Sequence, residues 1–267
     1  MQKQYKTNIK SNIAPAKTVA SIILKEFTTS KQPIIIAIGG PGGTGKSSFA
    51  NKLTTYLKDS GILTLDDYKT SRKFRKTKNL HGPHPNANDI NLILKHLAAI
   101  KESQSIDKPI YNRKTGIADS TEEFQAKHFI ILDGEISTYE TFHKFVDFSI
   151  FIDSDWKTQL KTRIERDIEK RGYDKEKAIT TFLNSNIKEF NEFGKKSKNR
   201  ADIHLFCKSN YRLVIDSVSK SIYEKYKSKL NKKVNPFIKI LDIPIRYLLQ
   251  LNLYYTRKLL KKTKDSN

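Results

Sequence analysis

Apolar residues along this chain gather into short runs between polar stretches, and their spacing switches repeatedly between helical and strand periods. Over residues 14–29, Val19, Ile22, Ile23 and Phe27 recur at helical spacing, and Pro33 ends the pattern. Residues 33–38 form a continuous β-branched run, as expected of a parallel strand covered on both faces, which passes through glycines into a predicted helix over about 46–58. A short strand is predicted over 62–65, a polar surface insertion over 69–88, a helix over 89–100 and an extended stretch around 109–113. Strands over 129–132 and 148–152 follow, then helices over about 156–171 and 175–192, and two segments, 203–206 and 211–215, that can close the sheet. Strands alternating with helices predict an α/β fold with an open, mostly parallel sheet flanked by helices.

A length of 267 residues suits one such domain with appendages. Fifty Lys and Arg against 28 Asp and Glu leave a formal charge of +22, which favours anionic partners without choosing among nucleotides, nucleic acid and acidic membrane. Part of the excess is local, because residues 218–267 hold 13 basic and three acidic side chains. The single cysteine, Cys207, cannot form an internal disulfide and is expected to pack in or near a strand. The polar first residues, and the lack of any run approaching the ~18 apolar residues of a spanning helix, lead us to expect a cytoplasmic protein.

Between the buried strand and the helix after it lies Gly40-Pro41-Gly42-Gly43-Thr44-Gly45-Lys46-Ser47, which fits G-x-x-x-x-G-K-[ST] in the context that its mechanism needs. Glycines let backbone N–H groups turn toward an anion, the helix N-terminus adds a favourable dipole, Lys46 can reach outer phosphates and the Ser47 hydroxyl can ligate Mg²⁺. The expected nucleotide contacts are Gly40, Gly42, Gly43, Thr44, Gly45, Lys46, Ser47 and Ser48, with ATP or GTP as the ligand. Asp133 ends the apolar run 129–132, where a carboxylate holds magnesium directly or through water. Asp66 ends the preceding strand on the same edge, where it can accept a proton from an attacking hydroxyl or share the metal; an ordinary turn carboxylate is the alternative. Arg163, Arg166 and Arg171 lie on one helix and suit charge neutralisation during phosphoryl transfer, although Glu165, Asp167 and Glu169 between them equally suit a solvated, salt-bridged helix.

The order of these motifs resembles the uridine kinase and phosphoribulokinase family of P-loop kinases over residues 33–216. Leu65-Asp66-Asp67-Tyr68 resembles the family's Asp-Asp-Tyr element, and His84-Pro85-Asn86-Ala87-Asn88-Asp89 its His-Pro-x-Ala-x-Asp helix lead-in. Pro109-Ile110-Tyr111, Leu132-Asp133-Gly134, Asp153-Ser154-Asp155, the arginine helix ending at Gly172, and Arg200-Ala201-Asp202-Ile203 are similar to later elements, with Asp133 where Glu is more usual. The resemblance implies a P-loop NTPase-type sheet, Mg·ATP as phosphate donor, Asp66 as base, and Tyr68, His84 and Tyr111 on the acceptor side. It also marks departures: Pro83, Gly116, Ala118 and Tyr173 stand where uridine kinases carry polar groups that read uridine. Leaving a nucleoside's polar edges unpaired costs about 1–3 kcal/mol per buried group, so uridine itself is disfavoured.

The resulting expectation is a helical extension over 1–32, a kinase domain over 33–216 with a lid helix over 156–173, and a basic helical extension over 217–267. The partner expected is a small molecule bearing a hydroxyl. Within the extension, residues 234–264 mix apolar and basic positions, which suits peripheral contact with an anionic membrane, docking on the domain or a homo-oligomer contact. A non-catalytic nucleotide-binding protein acting through this extension is the competing reading. Nucleic acid is disfavoured because no aromatic-basic RNA motif is present.

Overall fold

The structure is a computed structural model and describes residues 4–6 and 15–226. In chain order the elements are β1 (Gln4–Lys6), α1 (Pro15–Glu26), β2 (Ile34–Gly39), α2 (Lys46–Thr54), β3 (Ser60–Thr64), α3 (Arg72–Thr77), α4 (Ile90–Lys101) and β4 (Ile106–Asn112). They continue with β5 (Ile117–Phe124), β6 (Phe129–Asp133), β7 (Phe148–Ser154), α5 (Trp156–Arg171), α6 (Lys175–Phe182), β8 (Ile203–Cys207), β9 (Leu213–Ser219) and α7 (Lys220–Tyr226). Among the described residues, one sheet runs in the order β1-β9-β8-β7-β2-β6-β3, parallel from β8 to β3, with β9 and β1 added antiparallel.

Alternation along the central strands divides the core into two layers. Ile34, Ile36 and Ile38 of β2, with Phe129 and Ile131 of β6, pack with Val19 and Ile23 of α1 and Phe49 and Leu53 of α2. Ile35, Ile130 and Leu132 point the other way, onto Ile93, Leu97 and Ile100 of α4. Every residue of β2 is therefore buried, which explains why its sequence is a continuous apolar run.

This arrangement sets the functional residues level with one another. Asp133 pairs in register with Ile38 on one side and Thr64 on the other, so the loop after β2, the end of β6 and the turn after β3 share one edge. Strands with crossover helices place loops at this carboxyl edge, where open parallel sheets bind ligands.

Several boundaries differ from the sequence pattern. Helix α2 stops at Thr54, because Leu57 turns into the core instead of extending the helix. The segment 69–88 contains the short helix α3 and is tied down by a bridge between Lys69 and Asn88. Strand β5, which pairs with β4 in a separate antiparallel ribbon, has exposed residues at all but its last position, so no apolar alternation announced it. After α6 the chain continues as a wide π-helical segment, Leu183–Gly194. Residue Tyr211 lies in a turn at φ 61°, so the last strand starts later and runs to Ser219. Among the described residues no helix is long and apolar enough to cross a membrane. The expected membrane, docking and oligomer contacts of 234–264 lie outside the described residues.

Ile36 is fully buried between α1 and α2 on this sheet. Truncation in Ile36→Ala is expected to remove about 2–5 kcal/mol of stability, read as a lower midpoint in urea unfolding with an unchanged slope.

Candidate active site

The loop between β2 and α2 curls because its glycines permit it. Gly40 has φ 132°, and a Cβ there would meet the Ile152 carbonyl oxygen at 2.0 Å. At Gly42 a Cβ would lie 2.4 Å from the Arg163 guanidinium and 2.6 Å from Glu135 Oε1, so its absence admits both side chains to the loop. Gly43 and Gly45 complete the curl at positive φ. The Thr44 hydroxyl donates to the Pro41 carbonyl at 3.0 Å, which gives its side chain a loop-closing part and leaves only its backbone facing an anion. Lys46 Nζ is buried and donates to the same carbonyl at 2.9 Å. Burial lowers the Lys46 pKa, opposed by the charges of Glu135, Asp133 and Asp66. Ser47 and Ser48 are exposed on the first turn of α2.

Asp133 is buried, and burial pushes its pKa up; a hydrogen bond from Ser47 and the charge of Lys46 act in the opposite direction. Its Oδ1 is buried without a hydrogen-bond partner. A buried carboxylate oxygen left over beside a serine hydroxyl fits a divalent cation, and Ser47 and Asp133 are the residues that would hold it. Among the described residues no three His, Cys, Asp or Glu side chains cluster as a metal cage.

Helix α5 lies against the loop. Asp155 caps its start, accepting from Thr158 N at 2.9 Å, and Gly172 ends it at φ 63°. Arg163 is 4% exposed and reaches Asn186 Oδ1 at 2.5 Å and Ser185 Oγ at 3.3 Å, with Glu135 Oε1 at 3.7 Å. Asp167 is fully buried one turn on. Arg166 bonds it at 3.0 and 2.9 Å, Arg171 stands at 3.2 Å and Arg163 at 3.8 Å. Among the described residues, Asp167 is thus the one interleaved acid salt-bridged to the arginines, with Arg163 buried and Arg166 and Arg171 partly exposed.

Asp66 sits on the turn after β3 with Lys69 Nζ at 2.5 Å. The charge of Lys69 holds the Asp66 carboxyl well below the usual carboxylate range; burial opposes this, and Arg171 and Arg113 add to the lowering. Next to it, Asp67 accepts from Lys108 at 3.0 Å and from Tyr111 N at 3.3 Å, tying the turn to β4.

The three residues expected on the acceptor side are placed differently. Tyr68 is 1% exposed in the core, with its hydroxyl 2.8 Å from His96 Nδ1, so it faces away from the cleft and offers an acceptor no surface. Half-buried Tyr111 takes Arg75 on its hydroxyl at 2.5 Å and donates to the Gly116 carbonyl at 3.0 Å. His84 accepts from Asn86 N through Nδ1 at 3.1 Å and lays its ring on Phe193, so its nitrogen serves a turn. Two residues that sequence reasoning missed stand at the centre instead. Glu135 approaches Gly42, Gly82 and Arg163 together; its signal was an acid two positions after Asp133. Asn186 also bonds the Gly42 carbonyl at 2.8 Å, and nothing in the sequence set it apart from Asn184 and Asn191 of the same segment.

The comparisons agree with this geometry. The family model described as "Phosphoribulokinase / Uridine kinase family" matches residues 35–210. Phosphoribulokinase from Synechocystis is 29% identical over 191 residues, 70% of this chain and 57% of the relative, and the wheat chloroplast enzyme is 32% identical over 193 residues, 64% and 48%. Uridine kinase from Salmonella paratyphi A is 29% identical over 205 residues, 72% of this chain and 96% of the relative. The chain spans about half the length of the curated phosphoribulokinases it matches. Among solved structures, a candidate fructose transport system kinase from Silicibacter aligns at TM-score 0.60 and 15% identity, covering 71% of this chain and 96% of that one. A possible uridine kinase from Bacillus stearothermophilus aligns at 0.51 and 16%, covering 70% and 97%; both likenesses concern the fold.

Tyr68→Phe leaves the buried His96 Nδ1 without its partner. A loss of about 1–3 kcal/mol in urea unfolding is expected, the penalty of an unmade buried hydrogen bond.

Proposed function

Because the chain belongs to the phosphoribulokinase / uridine kinase family, we propose that it is a Mg·ATP-dependent kinase that phosphorylates a hydroxyl of a small acceptor carrying an anionic group. The observation that carries the reading is a glycine loop that curls at positive φ around buried Lys46, beside Asp133, whose Oδ1 is buried without a partner, with Asp66 on the turn after the neighbouring strand. Such a set suits a triphosphate and its cation on one side and a nucleophilic hydroxyl on the other.

In this reading the loop amides and Lys46 orient the phosphates, and Ser47 and Asp133 hold the cation. Bound magnesium supplies charge neutralisation at the phosphate oxygens. Arg163 is already against the loop, and Arg166 and Arg171 are held beside it by Asp167, so positive charge is in place before transfer begins. Asp66 accepts the hydroxyl proton. Its low pKa makes it a weak base, which suffices because phosphoryl transfer passes through a loose transition state in which orienting the hydroxyl matters more than early deprotonation.

The anionic acceptor is supported by charge. Lys69, Arg113 and Arg171 act on Asp66, and Arg75 stands on Tyr111 close by, whereas the polar groups that read uridine are replaced at Pro83, Gly116, Ala118 and Tyr173. The relatives named phosphoribulokinase agree in kind.

Transfer of labelled γ-phosphate from Mg·ATP to nucleosides, neutral sugars and sugar phosphates tests the proposal. A sugar phosphate is expected to be labelled, with Asp66→Asn lowering turnover about 10²- to 10⁴-fold while nucleotide affinity holds. A neutral nucleoside as the preferred acceptor overturns the anionic group, and tight nucleotide binding without any transfer overturns the kinase.

The pH profile tests the local electrostatics. The largest influence on Asp66, lowering its pKa, is Lys69, and burial acts the other way. In Lys69→Met the carboxyl pKa therefore rises, and the acid limb of the activity profile is expected to move to higher pH than in the wild type.

A further inference from the structure

The π-helical segment Leu183–Gly194 touches both halves of the site and belongs to neither. Ser185, Asn186 and Glu189 are all buried, at 2%, 3% and 4% exposure. Asn186 reaches the phosphate loop: its amide donates to the Gly42 carbonyl at 2.8 Å and to Gln159 Oε1 at 3.0 Å, and its oxygen accepts from Arg163. Three residues on, Glu189 faces the opposite partner. Both of its carboxylate oxygens accept from the His81 backbone N–H, at 2.9 and 3.0 Å. Phe193 continues the contact, its ring 4.6 Å from that of His84.

The loop held in this way, residues 79–88, leads into α4 and carries His84, which the family resemblance assigns to the acceptor side. Asn88 donates to the carbonyls of Gly82 and His84, and the Tyr139 hydroxyl to that of Pro83, so the loop is cross-linked within itself and tied to Tyr139. A wide π turn inserted into a helix commonly marks a functional position, and here it brings an amide and a carboxylate together on the buried side.

We propose that Leu183–Gly194 couples the nucleotide loop to the acceptor-side loop 79–88, with Glu189 as the positioning residue at the acceptor end and Asn186 at the nucleotide end. The inference rests on the kinase reading for the identity of the two sites. A ligand that draws on Gly42 and Arg163 biases Asn186, and the same rigid segment carries the bias to His81. Coupling of this kind is a free energy shared between two sites, so each ligand tightens the hold on the other's loop. Glu135 also lies near Gly42 and Gly82, but Glu189 holds His81 through two hydrogen bonds, so its loss is expected to remove most of the coupling.

Amide hydrogen exchange of residues 79–88 in the full chain, with and without the magnesium complex of a non-hydrolysable ATP analogue, reads the coupling directly and needs no acceptor. Binding of the analogue is measured separately by calorimetry. In the wild type the analogue is expected to slow exchange in this loop by about fivefold or more. In Glu189→Ala most of that slowing disappears while affinity for the analogue stays close to wild type, and Glu189→Gln, which keeps an acceptor oxygen, retains it. If the alanine variant does not fold, Glu189→Asp, one methylene too short to reach His81, takes its place with the same expectation. Equal slowing in wild type and variant, or none in the wild type despite binding, overturns the coupling and leaves the kinase reading standing. Failure of the analogue to bind the wild type overturns both.

Discussion

A buried ammonium sets the terms for this site. Taking the charge of Lys46 out of water is costly unless opposite charge accompanies it, and three carboxylates supply that charge from separate parts of the chain. Each sits where the parallel sheet delivers it: Asp133 at the end of β6, Glu135 just beyond, Asp66 on the turn after β3. The negative charge that opposes the effect of burial on Lys46 is also the charge that suits a divalent cation and a hydroxyl nucleophile. In the proposed kinase, one electrostatic requirement would thereby organise nucleotide, metal and acceptor around one edge of the sheet.

The arginines follow the same logic with signs reversed. Three guanidinium groups brought close together repel one another, and fully buried Asp167 offsets that repulsion at a spacing of one helical turn from Arg163 and from Arg171. With Glu135 at 3.7 Å from Arg163 as well, two carboxylates stand against three arginines, which leaves the cluster net positive. Positive charge held in advance need not be reorganised when phosphate charge develops, which is the physical advantage of a preformed electrostatic site.

Much of the site was legible in the chain because local constraints carry local signals. The glycine spacing of 40–45 must appear wherever a loop curls this tightly, and a strand covered on both faces must be apolar throughout, so β2 and its loop announce themselves. Asp133 and Asp66 were legible as acids ending apolar runs. Tyr68 was misread because its neighbours in sequence are polar, while the turn rotates its ring into the core toward His96, a residue 28 positions away. Strand β5 stayed hidden for the converse reason: exposed on its ribbon, it has no apolar face to display.

By itself the sequence determined most of the strands and helices, with β1, α3 and β5 excepted, together with the phosphate loop, the family and the basic character of the chain, since these depend on residue type at short spacing. Tertiary structure alone decided which charges meet. Arg163 beside Gly42, Asn186 on the Gly42 carbonyl and Glu189 on His81 join residues more than a hundred positions apart. No periodicity encodes such contacts; they exist because sheet register and helix packing bring distant segments into one buried space, where every polar group must find a partner.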